Sequence, residues 1–174
     1  MRRGKFLVLF VCTGNTCRSP MAEGVLRTKL PKDLRGRVLV RSAGTLGLRG
    51  ERATPFAVQA AREHGVDISH HRSSAITEDL VRDADLILAM GPEHVEFILE
   101  EHPEAADKTF LLTDFGRPEE ERTGRRIEDP IGMGPETYRR TYRDIEAEIE
   151  RILPLLESLI REKVAAAAEG SGAQ

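Results

Sequence analysis

The feature that most constrains the fold of this chain is a short apolar run over residues 6–11, which ends directly at Cys12. The run is too short for most helices and rich in residues that favour strands, so we predict a buried parallel strand with Cys12 at its carboxyl end. From residues 21–30 the apolar positions instead recur at helical spacing, and Ser19 with Pro20 suits the cap and first position of a helix. The predicted order is therefore strand, tight loop, helix.

A loop between a strand and a helix in this order is suited to bind a tetrahedral oxyanion. Its backbone N–H groups converge on one point, and the helix adds the positive end of its dipole. Gly14 and Asn15 tolerate the left-handed backbone that turns successive N–H groups inward. Arg18 supplies a planar fork for two phosphate oxygens. We expect the same field to stabilise a thiolate at Cys12, which would then be an activated nucleophile.

Taken singly, Cys12 is more simply a small buried hydrophobic residue and Arg18 a solvated charge. A cysteine followed after five residues by arginine and serine, between a buried strand and a capped helix, is much more specific, and it favours the nucleophile. The remaining residues of this segment are the candidate substrate-binding residues: Thr13, Gly14, Asn15, Thr16, Cys17 and Ser19.

Strands alternate with helices along the rest of the chain. Further strands are predicted at residues 38–40, 84–90 and 108–112, and the last and longest helix at residues 135–164. Buried-type strands in this alternation predict an α/β fold, namely a three-layer αβα sandwich with a central four-stranded parallel sheet and a phosphate-binding loop after the first strand. Sites in such folds gather at the carboxyl ends of the strands, where Cys12 falls.

Composition excludes several functional classes. The 174 residues suffice for one domain, and a net charge of −3 gives no basis for binding nucleic acid. No apolar run approaches the length of a bilayer span, and the amino-terminal strand is too short for a signal-peptide core, so we expect a cytoplasmic protein without a membrane partner. We predict neither metal nor cofactor, because His70 and His71 lack further ligands at suitable spacing and are more simply solvent-exposed or hydrogen-bonded within a loop. His94 is predicted to be structural or solvated. The oligomeric state is left open, with a monomer expected.

At this point the chain resembles a known family. Cys12 to Arg18, continued by Ser19-Pro20-Met21-Ala22-Glu23, is similar to the amino-terminal signature of the low-molecular-weight protein-tyrosine phosphatases. The resemblance continues, in the order the family uses, in Arg41-Ser42-Ala43-Gly44, in residues 53–55 and 84–90, and in Asp129-Pro130. It implies one phosphatase domain over residues 1–164, hydrolysing phosphoproteins through a phosphocysteine intermediate. Residues 165–174 have little to bury, and we expect them to form a frayed tail.

The resemblance also implies roles for residues outside the loop. By residue type alone Asp129 is a common Asp-Pro turn, but the family carries its general acid in such a pair, which completes the catalytic set Cys12, Arg18 and Asp129. Ser42 is implied to support the phosphate loop, although a locally satisfied serine is about equally compatible. Cys17 is implied to form a reversible disulfide with Cys12, against the alternative of a buried spectator thiol.

Substrate choice follows from departures within the family pattern. Tyrosine-specific members usually carry aromatic residues at the positions of Ile131-Gly132-Met133. The sequence Thr-Gly-Asn-Thr, and Thr16 in particular, resembles the same segment of the bacterial protein-arginine phosphatases. We therefore predict phosphoarginine as the preferred substrate and weaker activity on phosphotyrosine. The alternatives are a tyrosine phosphatase of the same mechanism, a thiol-dependent arsenate reductase, and a non-catalytic anion-binding module. The thioredoxin-linked form of the reductase is disfavoured because it needs two cysteines beyond Cys12 and Cys17.

Overall fold

A parallel sheet of four strands forms the middle layer of the computed structural model, which describes residues 4–171. Its strands are β1 (Phe6–Cys12), β2 (Val38–Gly44), β3 (Leu86–Ala89) and β4 (Thr109–Leu111). They are hydrogen-bonded in the order β2-β1-β3-β4, and every pairing is parallel. The carboxyl ends of β1 and its two neighbours therefore meet at one edge of the sheet, which confirms the predicted four-stranded parallel sheet.

Five α-helices pack against this sheet: α1 (Arg18–Lys29), α2 (Pro55–Arg62), α3 (Glu78–Asp83), α4 (Pro92–Glu101) and α5 (Pro135–Ser171). Alternate side chains of β1 point to opposite faces, as the pleat of a strand requires. Phe6, Val8 and Phe10 pack with α1, α2 and α5, whereas Leu7, Leu9 and Val11 pack with α3 and α4. This division confirms the three-layer αβα sandwich.

The first helix begins earlier than the sequence predicts. Helix α1 starts at Arg18, and Cys17 occupies the cap position without a side-chain cap hydrogen bond. Ser19, expected as the cap, instead lies in the first helical turn with its hydroxyl next to the sulfur of Cys12. The polar side chain is therefore used by the loop rather than by the helix end.

The last helix is longer than expected. Helix α5 runs through Pro154 and continues to Ser171, beyond the predicted helix end at residue 164, and fraying of residues 165–171 stays a prediction. The reason for the added length is local, because residues 165–168 are four consecutive alanines, the residue type with the highest helix propensity. The rest of the tail, residues 172–174, lies outside the described residues. Within residues 4–171, no helix combines the length and apolar character needed to cross a bilayer.

An ion pair ties the carboxyl-terminal half of α5 to the base of the sheet. The ammonium group of Lys163 donates to both carboxylate oxygens of Asp85, at 2.7 and 2.6 Å. The same carboxylate accepts the backbone N–H of Leu7 at 2.8 Å. Asp85 directly precedes β3, and its side chain therefore links the start of that strand to both β1 and α5.

Candidate active site

The loop between β1 and α1 is shaped by Asn15. Its φ of 55° is the one positive value that a non-glycine residue adopts within residues 4–171. Its side-chain amide donates to Ser19 Oγ at 2.7 Å and accepts the N–H of Ser74 at 2.9 Å. The backbone carbonyl oxygen of Asn15 accepts a hydrogen bond from His71 Nε2 at 2.6 Å. Asn15 thereby holds the loop against the segment that follows α2, and His71 has the loop hydrogen bond that was one of its two predicted environments.

The sulfur of Cys12 lies at the base of this loop. Cys12 is 2% exposed, and its Sγ accepts the N–H of Asn15 at 3.3 Å. Ser19 Oγ lies 2.9 Å from the same sulfur. Because Ser19 Oγ already accepts the Asn15 amide, its hydroxyl hydrogen is free to donate to the sulfur.

The pKa of Cys12 does not follow the sequence prediction. Burial raises the pKa of the Cys12 thiol above its ordinary value, and the hydrogen bond with Ser19 and the charge of Arg18 oppose this increase without outweighing it. The interactions that we expected to stabilise the Cys12 thiolate are therefore present, and each lowers the pKa of the thiol. The removal of the sulfur from water, which the sequence could not reveal, is the larger effect.

Arg18 and Asp129, 111 residues apart in the chain, meet above the loop. Arg18 is 2% exposed, and its Nη2 lies 3.3 Å from Asp129 Oδ2. Its Nη1 donates to the carbonyl of Ile127 at 3.1 Å, and Nη2 also reaches Thr13 Oγ1 at 3.5 Å. The structure thus brings together two of the three predicted catalytic residues beside the loop that carries the third.

The segment that carries Asp129 is fixed at several points. Ile127 N–H donates to the carbonyl of Met90 at 2.8 Å, just beyond β3. Glu128 accepts two hydrogen bonds from Arg140 of α5, both at 3.0 Å. Asp129 Oδ1 accepts the N–H of Ile131 at 3.1 Å, a local turn that orients the carboxylate. The side chain of Asp129 is 41% exposed, so the carboxyl group lies at the open side of the site.

His94, which the sequence assigned only a structural or solvated position, lies beside the site. It is 1% exposed, and its Nε2 is 2.9 Å from Thr13 Oγ1. Its Nδ1 has no hydrogen-bond partner among the described residues. Burial, followed by the charge of Arg18, lowers the pKa of His94 to about 4, so the ring is neutral at neutral pH. A sequence separation of 81 residues gave no local signal for this contact.

Cys17 and Ser42 have different surroundings from those implied by the resemblance. Cys17 Sγ contacts Tyr138 Oη at 3.4 Å and Thr54 Oγ1 at 3.5 Å, and both cysteines are free thiols. The reversible disulfide therefore stays a prediction. Ser42 donates its hydroxyl to Glu23 of α1, so this hydrogen bond does not go to the phosphate loop as the resemblance implied.

Thr13, Gly14 and Thr16 are partly exposed at the mouth of the loop. A methyl group placed on Gly14 would lie 3.4 Å from Thr16 Oγ1, so the threonine hydroxyl lies close to the backbone at the loop entrance. Residues 4–171 contain no group of three or more histidine, cysteine, aspartate or glutamate residues that could hold a metal ion.

The fold thus places a buried cysteine at the end of a central parallel strand, and beside its loop an arginine paired with an aspartate. This is the arrangement of a cysteine-dependent phosphatase. The family described as "Low molecular weight phosphotyrosine protein phosphatase" matches residues 7–165, and the chain belongs to it.

Relatives with two different names match most of the chain. A protein-arginine-phosphatase of Geobacillus stearothermophilus is 39% identical over 153 residues, covering 88% of this chain and 97% of that protein. The low molecular weight protein-tyrosine-phosphatase Etp of Escherichia coli is 37% identical, covering 80% and 86%. A solved structure of a YwlE arginine phosphatase mutant with a phosphorylated active-site serine has a TM-score of 0.76 at 34% identity, covering 87% of this chain and 96% of that chain.

Proposed function

We propose that this enzyme hydrolyses phosphorylated arginine side chains of proteins in preference to phosphotyrosine, with Cys12, Arg18 and Asp129 as its catalytic residues. The observation that carries the proposal is the carboxylate of Asp129, held 3.3 Å from Arg18 and partly open to solvent beside the Cys12 loop. The carboxyl group of Asp129 in this place can contact the guanidinium of phosphoarginine and, in its protonated form, give a proton to the leaving nitrogen.

The first chemical step transfers the phosphoryl group to sulfur. Cys12 reacts as the thiolate, the form that the hydrogen bonds of Ser19 and Asn15 and the charge of Arg18 favour against the effect of burial. The thiolate attacks phosphorus while the backbone N–H groups of the loop and the guanidinium of Arg18 bind the equatorial oxygens. The phosphorus–nitrogen bond breaks, and the carboxylic acid of Asp129 gives its proton to the departing nitrogen. The products are phosphocysteine, unmodified arginine and the Asp129 carboxylate.

The second step returns the enzyme to its starting state. Asp129 now takes a proton from a water molecule that attacks phosphorus, and the phosphorus–sulfur bond breaks. Ser19 stabilises the departing sulfur because its hydroxyl lies 2.9 Å from Cys12 Sγ and is free to donate. The phosphorylated active-site serine of the YwlE arginine phosphatase mutant supports a phosphoenzyme intermediate.

The preference for phosphoarginine rests on the residues at the mouth of the site. Ile131 and Met133 follow Asp129 and are 56% and 53% exposed, so this segment offers aliphatic side chains in place of stacking rings. Thr16 adds a hydroxyl at the loop entrance. The relative from Geobacillus stearothermophilus, which carries the name protein-arginine-phosphatase, supports the same substrate. We further propose that the enzyme acts as a monomer in the cytoplasm, without nucleic acid or membrane.

The test is a paired kinetic comparison of two peptides that differ only in carrying phosphoarginine or phosphotyrosine. We expect the wild type to have the higher kcat/KM on phosphoarginine, Cys12→Ser to lose turnover of both, and Thr16→Ile to shift the ratio toward phosphotyrosine. A wild type that turns over phosphotyrosine far better, or a ratio unchanged by Thr16→Ile, contradicts the substrate assignment. Thiol consumption that depends on added arsenate would instead support the reductase.

A further inference from the structure

The exposed large hydrophobic side chains of this protein are concentrated around the active site. Within residues 4–171 there are six: Leu46, Leu48, Phe56, Ile131, Met133 and Leu155. The first five lie in three segments that border the phosphate-binding loop, and we call these five residues the apolar collar. Isolated exposed hydrophobics are ordinary, but five around one opening form a surface suited to binding.

The segment after β2 forms one part of the apolar collar. The N–H of Leu46 donates to the carbonyl of Thr13 at 2.9 Å, which places this segment directly against the phosphate-binding loop. The side chain of Leu48 lies 3.9 Å from the position of a methyl group on Gly14. Leu46 is 64% exposed and Leu48 38% exposed, so both retain apolar surface for a ligand.

Phe56, in the first turn of α2, forms the second part. The preceding residue pair is attached to the loop, because the N–H of Thr54 donates to the carbonyl of Thr16 at 2.9 Å. The ring of Phe56 contacts that of Tyr138 edge-on, with a centroid separation of 5.7 Å. This packing fixes the ring while leaving Phe56 39% exposed.

Ile131 and Met133 form the third part, on the segment that carries Asp129. The N–H of Ile131 donates to the Asp129 carboxylate, and the N–H of Met133 donates to the carbonyl of Pro130 at 2.9 Å. These bonds keep both side chains next to the general acid proposed above. The collar therefore borders the opening on the side of the acid as well as on the side of the loop.

Ser73, which is buried, anchors the chain directly after this part of the collar, at Gly50 and Glu51. The backbone of Ser73 exchanges hydrogen bonds with Gly50 and Glu51, each at 2.8 Å, and its hydroxyl accepts the N–H of Glu51 at 2.9 Å. A segment whose backbone is attached at Leu46 and again at Gly50 loses less conformational freedom on binding a ligand than a free loop would.

We propose that the apolar collar binds hydrophobic side chains on either side of the phosphorylated residue, so that the enzyme selects phosphorylation sites within apolar sequence. This inference rests on the proposed function, because a phosphorylated residue that reaches Cys12 must bring its neighbours in the substrate protein over the collar. The occupant is therefore the substrate chain itself, and its contacts add to those of the phosphoryl group.

The experiment uses two peptides with the same phosphorylated residue, flanked in one by leucine and valine and in the other by serine and glycine. We expect the wild type to favour the apolar peptide about tenfold in kcat/KM, and Leu46→Ser or Phe56→Ser each to reduce that preference about threefold, as expected for partial burial of one hydrophobic side chain. Leu155→Ser is the matched control: Leu155 is 41% exposed but lies on α5 beside Gly116, so the preference should be unchanged.

A third substrate separates the collar from the catalytic machinery. The free phosphoamino acid, phosphoarginine or phosphotyrosine, whichever the wild type turns over faster, has no flanking residues, and its kcat/KM should stay within twofold in Leu46→Ser. Equal loss on the free phosphoamino acid and both peptides, or a wild type that does not distinguish the peptides, overturns the proposal. A failure of the proposed function looks different, because Cys12→Ser would then retain turnover or phosphotyrosine would be preferred while the flanking-sequence comparison still gives a result.

Discussion

At the scale of single residues, Asn15 combines an unusual backbone conformation with four hydrogen bonds that shape the loop. Its positive φ costs an alanine about 1–2 kcal/mol but costs glycine little, whereas either substitution removes the side-chain bonds to Ser19 and Ser74. We expect Asn15→Ala to lower the free energy of unfolding by about 3 kcal/mol and Asn15→Gly by about 2 kcal/mol. Urea denaturation of both variants measures the difference, and equal losses would contradict a strained backbone at this position.

His94 makes a prediction about pH. Its pKa of about 4 in the folded protein lies below the ordinary 6.5, so the unfolded chain binds the additional proton as pH falls through this interval. The stability that depends on neutral His94 is therefore complete above pH 6.5 and is lost on the way down to pH 4, a total of about 3 kcal/mol. Urea denaturation at several pH values should show a shallower acid-side decline for His94→Gln than for the wild type.

His70 provides the control for this measurement. Its side chain is 94% exposed, so His70→Gln should leave the acid-side decline as steep as in the wild type. If the wild type and His94→Gln instead lost stability in parallel, proton binding at His94 would not be the cause of the decline.

At the scale of elements, the end of β2 and the phosphate-binding loop touch at Gly44. A methyl group on Gly44 would lie 2.5 Å from the carbonyl oxygen of Thr13 and 3.0 Å from the nitrogen of Asn15, both backbone atoms. Gly44→Ala must therefore displace the loop, and we expect kcat/KM to fall at least about tenfold because a shift near 1 Å disturbs reacting groups. Gly36→Ala, where no atom lies within 4 Å, should keep wild-type kinetics. Unchanged kinetics in Gly44→Ala would mean that the loop yields without disturbing the site.

The contrast between predicted and observed elements has a physical explanation. The buried strand, the loop with Cys12 and Arg18 and the alternation of strands and helices are encoded locally, so the sequence predicted them. The contacts of the loop with His94 and Tyr138 were missed because they span 81 and 121 residues, and only the assembled sheet brings these residues to one edge. The burial of the Cys12 sulfur is likewise a property of the whole packing.

At the scale of the whole molecule, the boundary of the domain can be tested by truncation. Residues 165–170 are mostly exposed, whereas Leu156 and Ile160 are completely buried in the core. A chain ending at residue 164 should keep full activity and lose no more than about 1 kcal/mol of stability, because it sheds little apolar contact. A chain ending at residue 155 should fail to fold. Circular dichroism measures the folding of both truncated chains, and kinetics measure their activity. Loss of activity in the chain ending at residue 164 would contradict this domain boundary.

Helix α5 contacts both the active-site end of the protein and the opposite end of the sheet. Near its start, Tyr138 touches Cys17 and Arg140 pairs with Glu128, while near its other end Lys163 holds Asp85 under the sheet. A single helix therefore connects the active-site end of the protein with the opposite end of the sheet. Neither end is expected to unfold while α5 remains packed against both. Thermal unfolding should therefore be two-state, with the structure around the active site and the structure around Asp85 lost at one temperature rather than in two steps.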